Sequence, residues 1–199
     1  SKFAMEKCIE KAKKCGVAFV AVRGSNHFGM ASYFTRMALE HNMIGMCSTS
    51  PAAHLLAPTG GVEPILDNNP FSFAIPAGKE YPVVLDMATS VVSRGKLASA
   101  AKRGDKIPTT WAMTIDGEPT DDPKLGFDGI LLPVGGYKGY GLTVISGVMA
   151  AMLSNAALMS RDICDFYVDT DKEQNIGHLF GCIDIQVFCD VDDFKHRMD

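Results

Sequence analysis

From Gly16 to Ser48 the chain follows a pattern that few folds accommodate: an apolar strand, a glycine-flanked polar loop, a helix and a second apolar strand. Val17-Ala18-Phe19-Val20-Ala21-Val22 reads as a buried-strand run and Gly24-Ser25-Asn26-His27-Phe28-Gly29 as a loop. Residues 31–41 read as a helix and residues 43–48 as a second strand. Continuous apolar runs bounded by turn signals suit strands covered on both faces, and strands alternating with helices imply an α/β sheet. Upstream, Phe3, Ala4, Cys8, Ile9 and Ala12 recur at helical spacing over residues 2–14, and Gly16 stands where a glycine ends a helix. Downstream, Phe71–Ile75 and Val83-Val84-Leu85 are expected to be strands, the second one buried. Residues 91–103 read as a helix closed by Gly104, residues 142–153 as an apolar helix, and residues 179–187 as a last strand broken at Asp184 before a polar tail. Gly117-Glu118-Pro119 and Asp121-Asp122-Pro123 are turns. With 199 residues and no internal repeat, one α/β domain over residues 1–199 is the economical expectation.

Composition narrows the function. A net charge of −4 gives no reason to expect a nucleic-acid partner. No apolar run approaches the ~20 residues that cross a bilayer, and no N-terminal signal pattern is present, so no membrane association is expected. Cys8, Cys15, Cys47, Cys164, Cys182 and Cys189 are scattered without a C-x-x-C pair or a histidine at zinc-ligand spacing. They read as reduced thiols in the cytoplasm, with no metal site. Ser1 opens what reads as the middle of a helix, so further sequence is expected upstream.

Three stretches could carry chemistry. His27 lies between Gly24 and Gly29 after a strand, where α/β sheets bind ligands, and a histidine could donate a proton to a carbonyl oxygen as hydride reaches the carbon. Taken alone, it reads more readily as a structural loop histidine capping a helix. Asp86 follows Val83-Val84-Leu85; it could orient a catalytic group or accept from a ribose hydroxyl, or simply begin a turn with Thr89 or Ser90 capping a helix. Gly135-Gly136-Tyr137-Lys138-Gly139-Tyr140-Gly141 leaves backbone N–H groups free at the start of a helix, with Lys138 adding a full charge, which suits an anion. It matches neither the Rossmann nor the P-loop signature, and a tight turn with a solvent-facing lysine is the competing reading. His178, at the start of the last strand, stays open.

Together these stretches occur in the order of a known family. Ser25 to Gly29, Asn69-Pro70 with Phe73-Ala74-Ile75-Pro76, Leu85-Asp86-Met87-Ala88-Thr89-Ser90, Arg94-Gly95-Lys96, Ile107-Pro108 with Trp111-Ala112, Leu131-Leu132-Pro133, Gly135 to Gly141 and Asn175-Ile176-Gly177-His178 all fit. The chain resembles the malate/L-lactate dehydrogenase family, which holds malate, L-sulfolactate, ureidoglycolate and 2,3-diketogulonate dehydrogenases or reductases and cyclic imino-acid reductases. The resemblance implies an α/β three-layer sandwich with a mixed sheet, a non-Rossmann nicotinamide-binding fold and a homodimer. It implies NAD as cofactor, with NADP possible. It places Ser25, Leu85, Asp86, Met87, Ala88, Thr89, Ser90, Gly136, Tyr137, Lys138, Gly139 and His178 at the cofactor, and His27 and Asp86 at the chemistry.

The pattern also has departures. An N-terminal Asp-Ser-His-Gly motif with the usual proton-donating histidine, a substrate-binding arginine nearby and a C-terminal Pro-Gly-Glu-type segment are not among these residues, so the domain is expected to be incomplete at both ends. Asp67-Asn68 replaces the usual Gly-Thr, and the stretches 124–129 and 158–164 read as shortened. The expected activity is hydride transfer between NAD(P)H and a small 2-oxo or 2-hydroxy acid. A catalytically dead or truncated member acting as a cofactor-binding or structural subunit is the alternative. A phosphate-ester enzyme is weaker, because no paired carboxylates suggest a magnesium site.

Overall fold

A computed structural model describes residues 1–50, 52–158, 163–165 and 169–199. Helix α1 (Lys2–Cys15) ends at Gly16, whose φ of 80° favours glycine, and leads into β1 (Val17–Ser25). Helix α2 (Ala31–Thr35) continues as a 3-10 segment, Arg36–His41, and stops at a left-handed Asn42 before β2 (Met43–Thr49). Strands β3 (Phe71–Ile75) and β4 (Val83–Met87) form a hairpin, followed by α3 (Arg94–Arg103), β5 (Ala112–Met113), α4 (Pro123–Asp128) and β6 (Ile130–Leu131). Helix α5 (Tyr137–Gly147) passes into a π-helical turn, Val148–Met152; β7 (Ile176–Asp184) and α6 (Val191–Met198) complete the order.

The main sheet has the order β1-β7-β2-β3-β4, and all its pairings are antiparallel. The α/β class stands, but this sheet is not mixed. The reason is topological: β1, α2 and β2 make the strand–helix–strand unit read from the sequence, with both strands pointing the same way. The late strand β7 inserts between them, so each pairs with it in the opposite sense.

Alternation along the strands assigns the faces. Cys47, Phe180 and Cys182 pack with Met5, Cys8, Ala12 and Phe34 under α1 and α2. On the other face, Phe19, Met46, Phe71, Phe73, Leu179 and Gly181 line an apolar groove with Leu142, Ile145 and Met149 of α5 and its continuation. Helices therefore cover both faces. Fully burying Phe180 alone is worth about 1.5–3 kcal/mol. Gly45 admits no side chain, because a Cβ there would collide with the Thr35 carbonyl of the overlying helix. A second cluster, with Leu56, Leu66, Leu97, Ala112 and Leu131 at its centre, joins α3 to the β5–β6 pair.

Two strands expected to be buried are edge strands. Val83, Val84 and Leu85 are 52%, 36% and 41% exposed, and Val17 and Phe19 are 38% and 48% exposed. Among the described residues β4 pairs only with β3 and β1 only with β7, so an apolar run here does not mark two covered faces. The helix expected from residue 91 begins at Arg94, and the polar tail contains α6. The turn at Asp121-Asp122-Pro123 starts α4, with Asp122 capping Lys124 N. That helix occupies most of the 124–129 stretch, whereas residues 159–162 of the other shortened stretch lie outside the described residues.

The β3–β4 hairpin is latched at its turn by Asp199, whose carboxylate accepts from the backbone N–H of Gly78, Lys79 and Glu80 at 2.9–3.2 Å. The Lys79 and Glu80 N–H groups hold this carboxyl below its usual range. A depressed aspartate stabilises the fold fully above its unfolded value of about 3.9, and the contribution is lost as pH falls through the lower folded value. Asp199→Ala should therefore lower the urea midpoint at pH 6, with the gap to the parent closing below about pH 4. Equal midpoints at pH 6 would contradict the latch.

Candidate functional site

Because β1, β2 and β4 run the same way, their carboxyl ends share one edge of the sheet with the amino ends of β3 and β7. Register sets Ser25 beside Ile176, Thr49 beside His178, Ser48 beside Phe71, and Phe71 beside Met87. The loop after β1 and the segment after β4 thus leave the same edge.

In the first loop, Gly24 and Gly29 have φ of 62° and 82°, so the backbone reverses tightly and leaves His27 exposed. Gly29 N donates to His27 Nδ1 at 3.3 Å, making Nδ1 the acceptor and leaving the proton of a neutral ring on Nε2. Asp86, on β4, accepts at Oδ2 from Ser32 N at 2.7 Å. Ser32 lies in the first turn of α2, whose N-cap, Met30, has no capping side chain. Asp86 therefore caps from another strand the helix that follows the His27 loop.

Residues 85–90 divide in two. Leu85 and Asp86 are exposed and Met87 and Ala88 half-buried, whereas Thr89 and Ser90 point inward. Ser90 Oγ donates to Val92 O at 2.7 Å. Thr89 Oγ1 accepts from Thr143 Oγ1 at 2.6 Å and donates to Asn68 O at 2.8 Å. In parallel, Ser48 Oγ reaches Ser146 Oγ at 2.9 Å, Ser146 Oγ donates to Asn69 O at 2.9 Å, and Asn69 Nδ2 donates to Thr143 O at 2.9 Å. These buried links tie α5 to the end of β4 and the lead into β3. Asp67, the departure from the family pattern, is buried just before them; it accepts from Ala52 N and Asn68 N, and burial pushes its carboxyl upward.

The glycine-rich loop enters α5 from the same side. Gly135 and Gly136 have φ of 62° and 64°, and a Cβ on either would meet nothing within 4 Å. Gly139 admits none, since its Cβ would strike Val134 O. No side chain caps the first turn of α5, and Lys138 and Tyr137 are exposed. Lys138 makes no hydrogen bond or ion pair with the described residues. A cavity of about 360 Å³ opens beside Gly136 and Tyr137, lined also by Pro58, Gly61, Val62 and Pro133. Open backbone N–H groups, an unengaged lysine and adjacent space fit a phosphate-bearing ligand such as a nicotinamide dinucleotide. His178, in contrast, is fully buried and stacked against Phe28.

A family model described as malate/L-lactate dehydrogenase matches residues 1–199. The chain belongs to this family. It is 42% identical over 203 residues to a malate dehydrogenase of Pyrococcus abyssi, a match covering 98% of this chain and 54% of that protein. The solved sulfolactate dehydrogenase of Methanocaldococcus jannaschii superposes with a TM-score of 0.88 at 38% identity, covering 98% of this chain and 55% of that one. Two further relatives carry their cofactor in their names. One is an NADP(+) (2R)-3-sulfolactate dehydrogenase of Chromohalobacter salexigens, 33% identical over 94% of this chain and 55% of that protein. The other is an NAD(+) ureidoglycolate dehydrogenase of Escherichia coli, 34% identical over 100% of this chain and 56% of that protein. The chain spans about half the length of the relatives it matches.

Reading the sequence assigned no structural role to the buried residues that tie α5 to the end of β4 and the lead into β3: Asn69, Thr143 and Ser146. A buried hydroxyl looks like any other serine or threonine in a sequence; the one available signal was Asn69 directly before Pro70 in a turn-rich stretch. Thr143→Val keeps the volume but deletes the donor to Thr89. It should cost about 1–2 kcal/mol in urea denaturation, and an unchanged midpoint would contradict the relay.

Proposed function

We propose that this chain forms the hydride-transfer site of an NAD(P)H-dependent oxidoreductase interconverting small 2-oxo and 2-hydroxy acids. The observation that carries the reading is the gathering of the His27 loop, residues 85–90 and the uncapped start of α5 around one sheet edge, in a member of a dehydrogenase family. Bound NADH or NADPH supplies the hydride; relatives are named for either dinucleotide.

His27 presents the Nε2 proton to the carbonyl oxygen in reduction and takes it back in oxidation. Asp86 keeps α2, and with it the exit of the His27 loop, in place. Ser25, Leu85, Met87 and Ala88 border the nicotinamide end. Thr89 and Ser90 support that border from within, and His178 supports the loop from below. Gly136, Tyr137, Lys138 and Gly139 receive the phosphates, with Lys138 also in the running for the substrate carboxylate. All of this belongs to one catalytic domain over residues 1–199.

The same proposal includes a homodimer in the cytoplasm. Leu142, Ile145, Met149, Met152 and Leu153 form an exposed apolar stripe of the kind a partner covers. All six cysteines are free, as suits a reducing compartment, and no helix among the described residues is long and apolar enough to cross a membrane. A monomer by sedimentation, or recovery outside the cytoplasm on fractionation, would contradict these two points.

The decisive assay follows NADH and NADPH oxidation by absorbance against a panel of 2-oxo acids and one cyclic imine. Turnover is expected with at least one of them, and His27→Gln should lower kcat by about 10²-fold or more. Dinucleotide binding without turnover of any substrate would overturn the reductase reading in favour of a cofactor-binding scaffold.

A further inference from the structure

The start of β7 is fastened to the His27 loop far more closely than strand pairing requires. Asn175 Oδ1 accepts from Gly24 N at 3.0 Å across 151 residues of sequence. Ser25 pairs with Ile176 just past an irregularity in the β1–β7 register that begins at Val22. The Phe28 ring lies between two others, stacked on Phe34 at 5.0 Å and 5° and on the His178 imidazole at 4.2 Å and 15°. His178 is itself immobilised, with Nδ1 2.8 Å from Thr49 Oγ1 on β2 and Phe180 at its edge.

The strand segment around His178 is equally fixed. Ser50 N donates to Gly177 O and Gly177 N donates to Ser50 Oγ, both at 2.8 Å. A Cβ on Gly177 would collide with Ala150 O and come within 2.5 Å of Ser154 Oγ, so only glycine fits there. His178 Nε2 is buried without a hydrogen-bond partner, an arrangement that costs stability and that an apolar side chain of similar size would avoid.

We propose that Asn175 and His178 are positioning residues for His27: Asn175 fixes where the loop leaves β1, and His178, stacked on Phe28, fixes where it lands. This inference rests on the reading of His27 as the proton-holding group. The backbone on either side of the exposed His27 is fixed at Gly24 by Asn175 and at Phe28 by the His178 ring. Burial pushes the His178 imidazole down to about 4. Above that pH the ring that stacks on Phe28 is uncharged.

The test compares the full chain with His178→Leu and Phe28→Leu, each made with His27 intact and in a His27→Gln background. Phe28→Leu alters the half-buried loop ring and keeps every β7 side chain. With His27 present, each substitution should lower kcat by about 10- to 100-fold while KM and NADH affinity stay within about threefold. In the His27→Gln background the further loss should shrink to less than about twofold, because both act through the same group. Additive losses would overturn the proposal, as would a weakening of NADH binding that accounts for the fall in kcat. A second readout needs no turnover. In nuclear magnetic resonance spectra, the His27 ring and Gly29 amide signals should shift in His178→Leu and Phe28→Leu, and the Gly24 amide should exchange faster in Asn175→Ala. Unchanged signals would overturn the positioning role even if the enzyme is active. Shifted signals in a chain that reduces no 2-oxo acid would instead mark failure of the reductase reading alone.

Discussion

The hydrogen bond between Thr143 and Thr89 is the link on which the site depends. Thr89 Oγ1 lies 2.8 Å from the Asn68 carbonyl and 2.6 Å from Thr143 Oγ1, which is itself 2.9 Å from the Gly139 carbonyl, so the two hydroxyls join the end of β4 to the first turn of α5. Both threonines are fully buried, where a lost partner is expensive and a satisfied chain of donors is rigid. One turn further along α5, the Ser48–Ser146–Asn69 relay repeats the arrangement against β2. The helix whose first turn carries Lys138 is thereby held in register with residues 85–90 and with the sheet edge.

The second constraint is the insertion of β7 between β1 and β2. It turns a strand–helix–strand unit into an antiparallel sheet and brings Asn175 and His178 beneath the His27 loop, more than 150 residues away in sequence. The two faces then divide the work. Asp86, His178 and Phe28 act on the α2 face, beneath and beside the His27 loop. Thr89, Asn69 and Thr143 act on the α5 face, where the glycine-rich loop begins. The edge between them is where carboxyl ends of strands meet, the usual place for a ligand in a sheet covered by helices.

Much of this was legible in the sequence because it rests on local rules. Gly16 and Gly104 end helices, as their positive φ confirms, and the apolar runs of β2 and β3 are strands where expected. The failures are those that local rules cannot reach. Val83-Val84-Leu85 reads like a covered strand, but whether a strand is covered depends on its neighbours, and β4 has one. Sheet direction depended on where β7 lands, which no window of sequence around β1 and β2 contains. Ala112–Met113 and Ile130–Leu131 are too short for periodicity to reveal. Among the candidate residues, His27 and Lys138 stood out by residue type and glycine context. Thr143 and Asn69 did not, since their importance lies in which backbone carbonyl and hydroxyl they meet.

The most direct test of the claim that this edge is a dinucleotide site is amide hydrogen–deuterium exchange with and without saturating NADH. The account predicts slower exchange at residues 24–29, 85–90 and 135–139, with little change in the β3–β4 turn at residues 76–82 on the opposite edge. Protection confined to other segments, or none at these three in a preparation saturated with NADH, would contradict it.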